Sequence, residues 1–175
     1  AGLYSLGNST VTSVNCRLEN NAGLQGGGAL VSNAVFRNCL FAGNAATNQG
    51  GALYMRGNVQ AFNCTIAGNT NVLAGGAAVA GTNAGNVLVN CIAQFNPNLA
   101  AGDVSNHQNS AYVSFTNSCT LPLPALGAGN TAADPLFADP AQGDYRLAEG
   151  SPAADAGLNQ PWMIPPADGS TDLDE

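Results

Sequence analysis

Cys39-Leu40-Phe41-Ala42-Gly43-Asn44, followed by Gly50-Gly51-Ala52-Leu53, is one copy of a unit that recurs along this 175-residue chain. Cys16, Cys39, Cys64 and Cys91 each have an Asn five residues later, at Asn21, Asn44, Asn69 and Asn96. Gly28, Gly51 and Gly76 stand twelve residues past the first three cysteines, and Gly102 stands eleven past the fourth. With Cys119 included, the cysteines are spaced by 23, 25, 27 and 28 residues. A segment repeating at this period marks a solenoid, in which each repeat stacks only on its neighbours.

The units read as strands. Val11-Thr12-Ser13-Val14, Ala34-Val35-Phe36, Val87-Leu88-Val89 and Tyr112-Val113-Ser114-Phe115 are short β-type runs, and no 3.6-residue apolar period is sustained. Each run leads through a polar corner to the Cys strand, then the Asn corner, then the Gly-Ala-Leu strand. Three short strands per turn and about four to five coils give an all-β parallel β-helix. Aligned on glycine, the coils cover residues 28–50, 51–75, 76–101 and 102 to about 125, and all length variation falls between the Gly strand and the next Cys.

Alternation places Cys16 with Leu18, Cys39 with Phe41 and Cys64 with Ile66 inside, and Arg17 in solvent. Five cysteines in equivalent positions, odd in number, predict a single file of reduced thiols (Cys16, Cys39, Cys64, Cys91, Cys119) rather than disulfides. Asn15, Asn38, Asn63 and Asn90 precede the cysteines. Both Asn columns, this one and Asn21, Asn44, Asn69 and Asn96, read as left-handed corners whose amides bond from coil to coil. Zinc is not expected, since it needs converging His or Cys pairs at short spacing, and the only histidine, His107, belongs to the polar loop 105–110 and reads as a surface residue.

Composition bounds the partners. The chain is 45% hydrophobic and 9% charged, has no Lys, and carries a formal net charge of −7. Clustered cations for nucleic acid or anionic lipid are missing. No apolar run approaches the ~20 residues of a membrane span. Neither nucleic-acid binding nor membrane insertion is expected.

The ends differ in character. Ala1-Gly2-Leu3-Tyr4-Ser5 begins in the middle of a coil, and an uncovered coil exposes strand edges. The expectation is a processed or truncated product, or a second molecule covering that end, with Leu3 and Tyr4 as contacts. Nine of the eleven acids fall at or after Asp134, where proline also becomes frequent. Residues 1–125 are therefore read as coils, 126–157 as an irregular C-terminal cap and 158–175 as an extended, Pro-rich acidic tail. Trp162, Met163 and Ile164 in that tail are candidate assembly contacts.

The pairing of Phe-x-x-Asn (Phe41 to Asn44) with Gly-Gly-Ala-Leu (Gly50 to Leu53) resembles the repeats of polymorphic outer membrane protein-type β-helices. Asp134-Pro135-Leu136-Phe137, Gly143-Asp144-Tyr145-Arg146-Leu147 and Ser151-Pro152-Ala153-Ala154-Asp155-Ala156-Gly157 resemble the ending of secreted bacterial right-handed β-helix proteins. The resemblance implies a right-handed parallel β-helix, exported and surface-associated. In such proteins Asp-Leu-Asp is followed by Gly; here Asp172-Leu173-Asp174 is followed by Glu175.

The fold is shared with pectin-degrading lyases and hydrolases, which need acidic calcium ligands with a base, or converging carboxylates. Residues 1–133 hold only Glu19 and Asp103 as acids, on different corners of the assigned coils. No catalytic residue and no cofactor is expected; the acidic run 168–175 offers only a weak Ca²⁺ site. The function expected is non-catalytic and structural: an extracellular or cell-surface bacterial spacer, adhesin stalk or filament subunit that self-associates head to tail. The alternative is a glycan-binding module using the variable corner or the Asn columns, with a polysaccharide lyase or hydrolase behind it.

Overall fold

A computed structural model describes residues 1–73, 75–99, 102, 106–107 and 111–159. They form an all-β parallel β-solenoid of about four turns with a small C-terminal antiparallel hairpin. The first coil runs β1 (Leu3–Ser5), β2 (Val11–Val14), β3 (Arg17–Glu19) and β4 (Ala22–Gln25). The second runs β5 (Ala29–Val31), β6 (Ala34–Arg37), β7 (Leu40–Ala42) and β8 (Ala45–Gln49). The third is β9 (Leu53–Met55), β10 (Val59–Phe62), β11 (Thr65–Ala67) and β12 (Thr70–Asn71), and the fourth β13 (Val79–Gly81), β14 (Asn86–Val89) and β15 (Ile92–Gln94). β16 (Val113–Thr116) and β17 (Cys119–Thr120) begin the last turn, and β18 (Phe137–Asp139) pairs with β19 (Asp144–Leu147) as the hairpin.

Stacking makes four parallel sheets: A is β1-β5-β9-β13, B is β2-β6-β10-β14-β16, C is β3-β7-β11-β15-β17 and D is β4-β8-β12. The first three coils thus carry four strands each, where the sequence suggests three. Sheet D escapes the pattern because Ala45-Ala46-Thr47-Asn48-Gln49 has no large apolar side chain to alternate. It is held instead by main-chain bonds such as Ala45 N–H to Asn21 O at 2.8 Å.

The glycine alignment also slips. Leu3, Ala29, Leu53, Val79 and His107 share one column of sheet A, so Leu53 stacks under Ala29 and not under Leu30. Ala29 and Val31, Leu53 and Met55, and Val79 all point into the core, and apolar inward positions set strand register. The consequence is that length changes at two corners. The A-to-B connection holds five, two, three and four residues in successive coils, and the segment from the Asn corner to sheet A lengthens as well.

Inside, each column combines large and small side chains. Sheet B stacks Ser13, Phe36, Ala61, Leu88 and Phe115; sheet C stacks Leu18, Phe41, Ile66, Ala93 and Thr120. Phe36 and Phe41 meet edge to face at 5.2 Å across the corner of one coil. Such interlocking brings the interior to crystal-like density, each buried Phe or Leu contributing about 1.5–3 kcal/mol.

Two αL columns flank sheet C. Asn15, Asn38, Asn63, Asn90 and Asn117 all have φ between 47° and 54°. A second column, Asn20, Gly43, Gly68 and Phe95, also has positive φ. The expected left-handed corner at Asn21, Asn44, Asn69 and Asn96 therefore belongs to the residue before each.

Residues 126–158 do two things. Residues 126–131 run under the last turn: Leu126 O accepts from Phe115 N–H, Ala128 O from Asn117 N–H, and Thr131 exchanges main-chain bonds with Ser118 and Thr120. The chain then folds back along the outer face of sheet C. Phe137 packs on Phe95 and Tyr145, and the Tyr145 hydroxyl lies over Gly68. At the far corner the Asn90 amide clamps Leu158, accepting from its N–H at 3.0 Å and donating to its O at 2.7 Å.

Candidate functional site

The thiols form a file of four. Sheet register aligns Cys16, Cys39, Cys64 and Cys91, but Asn117 lies beside Asn90, so Ser118 takes the next place and Cys119 pairs with Ile92. Cys39, Cys64 and Cys91 donate Sγ–H to the carbonyl two residues back, and Ser118 Oγ does the same to Thr116 O at 2.9 Å. Cys119 faces the opposite side of its strand, donates to Ala133 O and receives the Gln94 amide. Cys16 heads the file at the open coil and is exposed, whereas the other four are buried. Its neighbour Cys64 and burial hold the Cys39 thiol well above the usual range; burial holds Cys64 well above it and raises Cys119. Protonated, buried thiols are neither nucleophiles nor metal ligands at neutral pH.

The Asn ladder is continuous. The Asn21, Asn44, Asn69 and Asn96 amides each donate to the Oδ1 of the next, at 3.1, 2.9, 2.9 and 2.7 Å, the last acceptor being Asn106. The main-chain N–H of each donor residue reaches the same oxygen. Asn44, Asn69 and Asn96 also donate back to Leu18, Phe41 and Ile66 carbonyls. With these three fully buried, the ladder offers no groove to a glycan. Asn106 lies outside the five-residue rule. Five residues past Cys119 stands Pro124, and the Asn106 amide, next to His107 in sequence, fills the place.

His107 is not a surface residue. It is buried in sheet A beside Val79, its Nε2 lies 2.8 Å from Pro122 O, and its ring packs 5.0 Å from Phe115. Leu3 packs on the core, while Tyr4 points outward, two-thirds exposed, in the column of Leu30, Tyr54 and Ala80. Trp162, Met163, Ile164, Asp103 and the acidic run 168–175 lie outside the described residues. Among those described, no three His, Cys, Asp or Glu residues are grouped to hold a metal ion.

Two of the surface grooves bear on the candidate sites. The larger, about 710 Å³, lies between the folded-back hairpin and sheet C, with Arg17, Asn38, Asn63, Thr65, Tyr145 and Arg146 on its walls. Both arginines are neutralised there. Arg17 binds Glu19 through Nε and Nη2 at 2.9 and 2.7 Å, and Arg146 binds Asp144 likewise at 2.9 and 2.6 Å. The Arg146 hydrogen bonds pull the Asp144 carboxyl down to about 2, and Arg17 lowers Glu19.

No protein family, curated protein or solved structure matches this chain.

The second groove, about 370 Å³, follows the A-to-B corner and is lined by Asn8, Ser32, Asn33, Arg56, Asn58 and Asn83 among others. The sequence carries a signal for it that the strand reading passed over. Gly7-Asn8, Ser32-Asn33, Gly57-Asn58 and Thr82-Asn83 recur just after each sheet A strand. The amides interlock: Asn33 Nδ2 donates to Gly7 O, Asn58 Nδ2 to Asn33 Oδ1, and Asn83 Nδ2 to Arg56 O.

Proposed function

We propose that this protein is a non-catalytic structural column, a spacer, adhesin stalk or filament subunit at the extracellular or cell surface of a bacterium. One observation carries the reading: the most regular polar residues of the repeat are spent inside, where Asn21, Asn44, Asn69, Asn96 and Asn106 tie coil to coil. This ladder acts as a longitudinal cable. The Phe-x-x-Asn and Gly-Gly-Ala-Leu repeat and the Asp-Pro-x-Phe ending support the surface setting by resemblance.

Self-association fits the same construction. β1, β2, β3 and β4 each stand last in their sheets, so a further coil, from the same polypeptide or a neighbour, would extend all four ladders. Its Asn would donate to Asn21 Oδ1 as Asn21 donates to Asn44. Negative-stain microscopy tests the reading. Rods or head-to-tail filaments that shorten when residues 158–175 are removed are expected. Dispersed monomers at every concentration would remove the filament subunit, and release of reducing ends from a panel of polysaccharides would remove the non-catalytic assignment.

A further inference from the structure

We infer that the A-to-B corner is a binding groove for an anionic polysaccharide, with Arg56 as the residue that takes its acid group. This goes beyond the structural role and does not depend on it.

Three observations converge there. Arg56 is exposed, and among the described residues no carboxylate forms an ion pair with it, whereas Arg17 and Arg146 are each held by a neighbour two residues away. The groove around it contains no acid. Its amides are arranged as donors: Asn33, Asn58 and Asn83 each spend a hydrogen on a fixed carbonyl or amide oxygen, which orients the NH₂ group and leaves its second hydrogen for a ligand.

The shape fits an extended chain. Asn8, Asn33, Asn58 and Asn83 belong to successive turns, and rungs about 4.8 Å apart make the groove roughly 14 Å long along the solenoid axis. Glycine keeps it open. Gly57, at φ 136°, lies against Asn83, and a side chain at Gly85 would press on Asn58 Oδ1.

The lining chooses among anions. Amides, a hydroxyl, glycines and one alanine offer no apolar anchor for a peptide. A single cation over four turns cannot match the charge density of a nucleic acid. A sugar chain with spaced carboxylate or sulfate groups and many hydroxyls matches both the amides and the lone guanidinium. The field does not oppose it: residues 1–133 carry Arg17, Arg37 and Arg56 against Glu19 and Asp103, while the chain's negative charge is concentrated from Asp134 onward. The hairpin groove, which lies along sheet C, shares no lining residue with the groove around Arg56.

Affinity electrophoresis of the whole chain in gels containing alginate, dextran sulfate or neutral dextran tests the inference. Retardation by alginate or dextran sulfate, but not dextran, is expected, and the first two arms tell carboxylate from sulfate. Arg56→Gln should weaken it roughly tenfold or more, as for loss of a charged hydrogen bond, with an unchanged circular dichroism spectrum. Arg146→Gln should leave it intact. Equal retardation by dextran, no retardation by either anionic polymer, or full retention in Arg56→Gln would overturn the assignment.

Discussion

Asn69 has no exposed atom, and its amide meets three acceptors while its oxygen takes two donors from Asn44. Asn69→Ala leaves buried polar groups on both neighbouring coils without partners, so a loss of about 3 kcal/mol is expected in urea titration. Ser118→Cys should by contrast be neutral within about 1 kcal/mol, because the thiols above it already make the same bond to the carbonyl two residues back. The thiols themselves give a pH signature. Folding raises the Cys39, Cys64 and Cys119 values above the ordinary 9.0. Below about pH 9 the resulting stabilisation is fully present. Above it the unfolded chain releases protons that the folded chain keeps, so stability falls as pH rises. The thermal midpoint should hold steady near neutrality and drop from about pH 9 upward; a flat profile to pH 11 would contradict the buried file. A thiol reagent should label Cys16 in the native protein and Cys39, Cys64 and Cys91 only after unfolding.

The folded-back hairpin is held by a few contacts rather than by a sheet shared with the solenoid. Phe137 touches Phe95 at 6.0 Å and Tyr145 at 5.3 Å, and Leu158 is fixed by the Asn90 amide. Phe137→Ala should release β18 and β19 while the coils stay folded, giving early cleavage between 132 and 159 in limited proteolysis. Gly68→Ala should do likewise, since a Cβ there occupies the place of the Tyr145 hydroxyl and φ is 66°. Asn90→Gly keeps the left-handed corner and removes the clamp. If none of the three exposes the segment, the fold-back is secured elsewhere. The sequence announces a turn-rich segment with an aromatic pair here. It does not announce where that pair docks, because Phe95 reads as one more repeat residue until it is seen at a positive φ under Phe137.

At the scale of the molecule, stability is a sum over coils and their interfaces. Removing residues 29–52 puts Leu53 in the place of Ala29 and preserves all four sheets, since the two share a register. That chain should fold with a lower thermal midpoint, whereas removing residues 29–40 breaks the register and should abolish the β spectrum. An equally stable half-coil deletion would mean that stacking is looser than the Asn ladder requires.

The repeat of Cys, Asn and Gly determined the architecture by itself, because a corner that recurs every 23 to 28 residues must meet its own copy one rung away. It also placed Phe41, Ile66, Cys39 and Cys64 inside, since alternation along a strand is local. Register was decided only in three dimensions. Runs such as Gly26-Gly27-Gly28 present several equivalent glycines, and inward packing of Ala29 under Leu3 chose among them. The same holds for Cys119, turned outward by the in-register Asn117, for Asn106, which completes a ladder from ten residues away, and for Arg56, whose groove exists only where four successive corners stack. Each depends on which residues become neighbours across coils, and that distance is not written along the chain.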